Sequence, residues 1–210
     1  GTSSARRKSQ MLFFREDVTI KDLRGNVPTR VEKLKNGNYD AILLAYAGVS
    51  RLGLNLSDFH FVKLPIKWFI PAPAQGVLAL QTRENDYKLK ELLNKINSDH
   101  TQQEISIERK VLNLLDGGCQ LPLGVYCQKE NNQTNTWVSI VKPGEKSIFR
   151  FHKKNTSAIE LVRLIKTQFK KDKNVFISRN LTEQSFFTKS LKGHKINVIG
   201  KSLIEINFLD

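Results

Sequence analysis

Apolar residues recur along this chain in two rhythms, and the switches between them outline its elements. In "ARRKSQMLFF", Met11, Leu12 and Phe13 follow the hydroxyl-rich start Thr2–Ser4, which predicts a helix capped by a hydroxyl side chain. "VTIKDL" predicts a short strand. "RGNVPTRVEKLKNG" predicts a turn and then a helix, with Pro28 in its first turn and Gly37 as its stop. "YDAILLAYAG" carries the continuous apolar run of a buried parallel strand. This alternation predicts an α/β domain whose loops gather at the carboxyl ends of its strands.

"PAPAQGVLALQTR" reads as a linker with a strand after it. Helical periodicity follows over 87–97 and 103–115, with Leu89, Leu92, Leu93 and Ile96 on one face of the first. "GVYCQ", "TWVSIV" and "SIFRFH" alternate as an antiparallel sheet does, and "AIELVRLIKTQF" predicts a helix to cover it. The first unit is therefore expected to be α/β and the second α+β. After "KKDKN", the tail restarts a strand–helix–strand pattern, as at the opening of another α/β domain. The start, "GTSSARR" without an initiator Met, reads like the middle of a domain, so the chain is expected to be a piece of a longer protein.

Composition narrows the partners. Lys and Arg total 34 against 20 Asp and Glu, a net +14, which predicts a polyanionic partner. Many lysines between Lys142 and Lys201 read as solvated surface. Nucleic acid would call for aromatics interleaved with basic residues. Phe13, Phe14, Phe149, Phe151, Phe186 and Phe187 instead follow core patterns, and the two tryptophans, Trp68 and Trp137, read as core or hinge residues. No apolar run is long enough to span a bilayer, so no membrane partner is expected. Cys119 and Cys127 show no CxxC spacing and no histidine partner, so no metal site is expected, and a reduced cytoplasmic compartment is the simplest reading. His60, His100, His152 and His194 are scattered and unpaired.

Candidate chemistry lies in the loops. "GTSSARR" joins a helix start, hydroxyls and the guanidinium groups of Arg6 and Arg7, all of which suit an anion. "LRGNVPTR" adds Arg24 and Arg30 at a second loop–helix junction, and Arg51 follows the buried strand. Arginine in three strand-end loops points to a carboxylate- or phosphate-binding crevice. "DGGCQLPLG" sets Cys119 between a glycine pair and a Gln-Leu-Pro turn, which holds a thiol out on a loop toward a partner. Cys127, alternating with Val125, reads as buried packing. Catalytic triads, phosphate-binding P-loops and dinucleotide fingerprints are absent from the sequence.

Taken together, "GTSSARRKSQ", "LRGNVPTRVEKLKNGNYDAILLAYAGVSRLGL", "PAPAQGVLAL", Glu108-Arg109 and "DGGCQLPLGVY" resemble the hydroxymethylbilane synthase (porphobilinogen deaminase) family, in order from Gly1 to about Lys171. The resemblance implies a transferase of heme and tetrapyrrole biosynthesis. Such an enzyme joins four porphobilinogen units, releases ammonia at each step and frees a linear hydroxymethylbilane. It implies a dipyrromethane cofactor attached by a thioether to Cys119. Thr2, Ser4, Arg6, Arg7, Arg24, Arg30 and, more weakly matched, Arg51 would line the cleft that holds the acidic cofactor and growing polypyrrole. It also implies a partial periplasmic-binding-like α/β domain over 1–70, a returning strand and helix of the first domain or hinge over 71–107, and an α+β cysteine (cofactor-attachment) domain over 108–172.

The departures from the family are specific. No Asp or Glu here matches the family's catalytic aspartate, so the chain alone is expected to be inactive. Ala74 replaces a usual glycine in the linker, which stiffens it. Residues 173–210 resemble the opening of uroporphyrinogen-III synthase, which implies a fused or associated enzyme of that kind. Two rival readings remain: a non-catalytic anion-binding module of periplasmic-binding-like fold, and a nucleic-acid-binding protein supported by the charge alone.

Overall fold

The computed structural model describes residues 1–116, 121–142, 147–169, 173–177 and 196–200. The chain divides into two compact units, Gly1–Val162 and Arg163–Asp210. In the first, α1 (Ala5–Phe14) is capped by Ser4, whose side chain accepts the Arg7 N–H at 3.4 Å. The second helix, α2 (Val27–Lys35), is capped by Asn26, whose Oδ1 accepts the Thr29 N–H at 2.9 Å. Pro28 sits in its first turn, where a missing N–H costs nothing, and Gly37 follows its end at φ +72°. A short α3 spans Tyr46–Arg51.

The two strands expected around α2 do not form regular ladders. Residues 1–3 lie between 21–23 and 41–43, held by Thr2 N–H to Lys21 O at 2.9 Å and Leu43 N–H to Gly1 O at 3.1 Å. At Leu23 the partner is a side chain: Ser3 Oγ accepts its N–H at 2.9 Å and donates to its carbonyl at 3.1 Å. A hydroxyl that takes both backbone bonds of a residue ends the strand pairing there. The strand expected after the linker is also absent, and Leu78 and Leu80 are exposed. Among the described residues no strand pairs with 77–83, and without a partner for its N–H and C=O groups a segment forms no ladder. Trp68 is 67% exposed rather than core; it stacks on Phe14, and Arg150 lies over the Phe13 and Phe14 rings.

Helices α4 (Tyr87–Asn94) and α5 (Asp99–Leu114) follow, with Asp86 and Ser98 as their caps. The sheet runs β1 (Leu123–Glu130), β2 (Gln133–Val141), β3 (Ile148–Lys154), antiparallel throughout. Asn131 and Asn132, both at positive φ, make the two-residue hairpin between β1 and β2. Leu123, Val125 and Cys127 alternate into the core opposite Ile140, Val138 and Thr136. The Cys127 thiol is buried and its pKa is raised, mainly by that burial. On the other face Tyr126, Trp137 and His152 form a stacked row across the three strands.

Strand β1 is an edge, and α5 covers it with side chains. Glu104 accepts the Lys129 N–H at 2.7 Å, Glu108 accepts the Cys127 N–H at 2.8 Å, and His100 meets Lys129 O at 3.1 Å. The spacing works because four helical residues rise about 6 Å while two strand residues rise about 6.6 Å. Helix α6 (Ala158–Phe169) begins at a capping box in which Ser157 and Glu160 exchange hydrogen bonds. Its Ala158, Leu161, Val162 and Ile165 are buried at helical spacing. In the second unit β4 (Lys173–Ile177) and β5 (Ile196–Gly200) pair in parallel. The helix expected between them lies outside the described residues.

Candidate anion-binding site

The site grows from the start of α1. Thr2 is buried and its Oγ1 accepts the Ser4 N–H at 3.3 Å, so both hydroxyls shape the helix entry. Arg6, only 6% exposed, donates from Nη1 to Ile70 O at 2.7 Å and from Nη2 to Gln75 Oε1 at 2.9 Å. Arg7 donates from Nη1 to Leu43 O at 2.8 Å. Arg30 folds back from α2, its Nε donating to Gly25 O at 2.7 Å. Arg51 reaches Gly76 O at 2.7 Å, so it and Arg6 grip opposite ends of the turn that contains Gln75. Arg24 is exposed, and its carbonyl accepts from Lys33 Nζ at 3.2 Å. Cys119 lies outside the described residues.

The electrostatics are those of cations short of a counter-charge. Among the described residues the carboxylates in close ion pairs are Asp17, with Arg15, and Glu104, with His100; neither touches this cluster. Burial, and then the nearby Arg7, pull the Arg6 pKa down to about 10. Burial, and then Arg30, lower that of Arg7. Each guanidinium has five donors and only one or two are spent on carbonyl or amide oxygens. A cavity of about 580 Å³ opens beside them, lined by Arg6, Arg7, Asp40, Leu43, Phe69 and Gln75 among others; Asp40 forms no close ion pair with either arginine. It lies in the ~300–1,000 Å³ range of sites that take one drug-sized ligand. Chemically the cluster suits carboxylate oxygens, for which guanidinium offers paired, charge-assisted donors.

The turn from Ile70 to Gly76 ties this cluster to the sheet. Gln10, fully buried on α1, pairs with both backbone groups of Ile70, at 2.7 and 2.8 Å. Val125 N–H of β1 reaches Pro71 O at 3.0 Å. Glu108, 5% exposed, accepts the Ala74 N–H at 2.6 Å with one oxygen and the Cys127 N–H with the other. Burial raises the Glu108 pKa to about 6 against the pull of those two N–H groups. Ala74 itself sits at φ +57°, in the left-handed region that glycine tolerates best. Sequence reasoning missed Gln10, Gln75 and Glu108 as parts of the site. The available signals were the i, i+4 spacing that puts Gln10 on the Arg6 face of α1 and the place of Gln75 and Glu108 in the motifs "PAPAQGVLAL" and Glu108-Arg109.

Residues 1–91 match the family model for the porphobilinogen deaminase dipyromethane cofactor binding domain, and residues 102–171 match that for the porphobilinogen deaminase C-terminal domain. The chain belongs to the porphobilinogen deaminase family. It is similar to the porphobilinogen deaminase of Geobacillus kaustophilus (strain HTA426), 38% identical over 153 residues, which cover 71% of this chain and 48% of the relative. The corresponding protein of Francisella tularensis subsp. novicida (strain U112) is 40% identical over 150 residues, covering 71% and 49%. The chain thus spans about half the length of the curated relatives it matches. The described side chains fit the acidic groups of such a cofactor: Arg6, buried, and Arg7, half-buried, keep spare donors beside a cavity that Asp40 also lines, and among the described residues neither forms a close ion pair with a carboxylate.

Proposed function

We propose that this chain carries the acid-holding half of a hydroxymethylbilane synthase, the transferase that links four porphobilinogen units head to tail with loss of ammonia. The observation that carries this reading is the pair Arg6, buried, and Arg7, half-buried, both lining one cavity and, among the described residues, neither in a close ion pair with a carboxylate. Every pyrrole unit bears an acetate and a propionate, so the polypyrrole is a polycarboxylate. Arg6 and Arg7, with Arg30 beside them, hold those acids by charge-assisted donors. Thr2 and Ser4 order the helix entry that presents the arginines, and Arg24 and Arg51 extend the basic rim. Cys119 holds the dipyrromethane through a thioether. When bound, that group supplies the primer on which the pyrrole chain grows.

The wider reading follows the resemblance. Residues 1–70 belong to a periplasmic-binding-like α/β domain, 71–107 to the hinge and returning segment of another, and 108–172 to the cysteine domain. Residues 173–210 open a uroporphyrinogen-III synthase-like domain, which would pass an unstable tetrapyrrole a short distance in the cytoplasm. Since no Asp or Glu here matches the family's catalytic aspartate, the 210-residue chain by itself is expected not to turn over porphobilinogen.

The test is the intact mass of the chain, made alone and as part of its longer protein, with peptide mapping around Cys119. A dipyrromethane-sized adduct on Cys119, lost in Cys119→Ser, supports the assignment. An adduct that survives Cys119→Ser sinks it. A bare thiol in the longer, folded protein favours a binding module without the transferase chemistry.

A further inference from the structure

Gln10 has the geometry of a residue that acts through its neighbour. It is fully buried on α1, one turn after Arg6 and on the same face. Its amide makes a two-point contact with one peptide residue: Oε1 accepts the Ile70 N–H at 2.7 Å and Nε2 donates to Ile70 O at 2.8 Å. That same carbonyl accepts Arg6 Nη1 at 2.7 Å. Ile70 O therefore has two donors, both from α1, and the Gln10 contact fixes the plane in which the carbonyl points. Arg150 Nη1 lies 3.4 Å from Gln10 Oε1 and helps hold the amide in its orientation. No apolar side chain could reproduce this, because both backbone groups of Ile70 are buried and need partners.

We propose that Gln10 is a positioning residue that sets Arg6 for anion binding by fixing the Ile70 carbonyl to which Arg6 is anchored. This rests on the reading of Arg6 as a ligand to acidic groups. Without the Gln10 contact the Ile70 N–H has no partner and its carbonyl keeps only the Arg6 donor from α1, so Arg6 is anchored less firmly beside the cavity it lines. The anchoring spends one donor on Ile70 O and one on Gln75 and leaves the others for a ligand. Gln10 touches no ligand in this scheme; its effect passes entirely through Arg6.

A double-mutant cycle on the full 210-residue chain tests this, with benzene hexacarboxylate (mellitate) as the probe and calorimetric affinity as the readout. Gln10→Met is expected to weaken mellitate binding about tenfold, the loss of one well-set charged contact. In an Arg6→Met background the same change is expected to do nothing further, because the residue it positions is gone. An equal loss in both backgrounds, or no loss in either, overturns the proposal. If Gln10→Met does not fold, Gln10→Asn replaces it: still polar, it is too short to span both Ile70 groups. Arg7→Leu separates this failure from that of the underlying reading. If Arg7→Leu and Arg6→Met both leave mellitate affinity unchanged, the anion site itself falls. If they abolish binding while Gln10 variants do not, the role of Gln10 alone falls.

Discussion

Glu108 and Cys127 meet through a side chain and a backbone: Glu108 Oε1 accepts the Cys127 N–H at 2.8 Å while its other oxygen holds the Ala74 N–H at 2.6 Å. One buried carboxylate thus fastens the linker turn to the edge of the sheet. Replacing it with alanine orphans two N–H groups, each costing ~1–3 kcal/mol. Glu108→Ala should destabilise the chain by about 3 kcal/mol, read as a lower urea midpoint with an unchanged slope.

The same residue makes stability depend on pH. Its carboxyl ionises near the ordinary 4.5 when unfolded and near about 6 when folded, so the fold favours the protonated form. The contribution is fully present below about pH 4.5 and is lost as pH rises through about 6, a change of about 2 kcal/mol. Urea titrations from pH 4.5 to 7 should show this decline in the wild type against Glu108→Gln. A parallel decline in both proteins would assign it to other groups.

Ala74 holds a left-handed backbone at φ +57°. That conformation costs a residue with a Cβ ~1–2 kcal/mol, while the extra freedom of unfolded glycine returns ~0.5–1 kcal/mol of it. Ala74→Gly should therefore stabilise by about 0.5–1 kcal/mol, raising the melting temperature by a few degrees. A lower melting temperature would show that the turn is not under this strain.

Arg7 spends one donor on Leu43 O and is otherwise a desolvated cation. Removing it loses one hydrogen bond and relieves that desolvation, so Arg7→Leu should change stability by less than about 1 kcal/mol. Mellitate affinity should fall at least about tenfold, with a shallower dependence on salt. A large stability loss with intact affinity would make Arg7 a packing residue.

Gly124 packs against the linker so closely that an added Cβ would lie 2.7 Å from Ile70 O, a backbone atom with little room to move. Gly124→Ala should cost about 2 kcal/mol through this overpacking. Because Ile70 also anchors Arg6, mellitate affinity should fall with it. Unchanged stability would mean that the linker yields easily.

How much of this was legible in the sequence depends on the range of the interaction. Ser4, Asn26 and the Ser157–Glu160 pair mark helix starts within four residues of their partners, and the helices begin at those caps. The alternation of Val125 and Cys127 likewise reads directly as one buried face. "VTIKDL" and "YDAILLAYAG" have strand composition, yet strands exist only through neighbours, and here Ser3 Oγ intercepts the backbone of Leu23. In the site, the helix start that carries Arg6 and Arg7 is a local feature. Their contacts to Ile70, Gln75 and Leu43 join residues far apart in the chain, which no spacing rule encodes. Of the two readings of Trp68, core or hinge, its exposure removes the first: aromatic character predicts burial on average, but this ring finds its partner in Phe14 at the surface.

The carboxylates of α5 that occupy the free side of β1 also decide what that edge cannot do. A border finished with acids and a histidine has no vacant row of donors on which a stranger's strand could crystallise. To pair beside β1, another polypeptide would first have to peel away α5 and, with Glu108, the linker fastened behind it. The three-stranded sheet is in that sense a closed sentence: growth from β1 stops at a punctuation mark made of side chains.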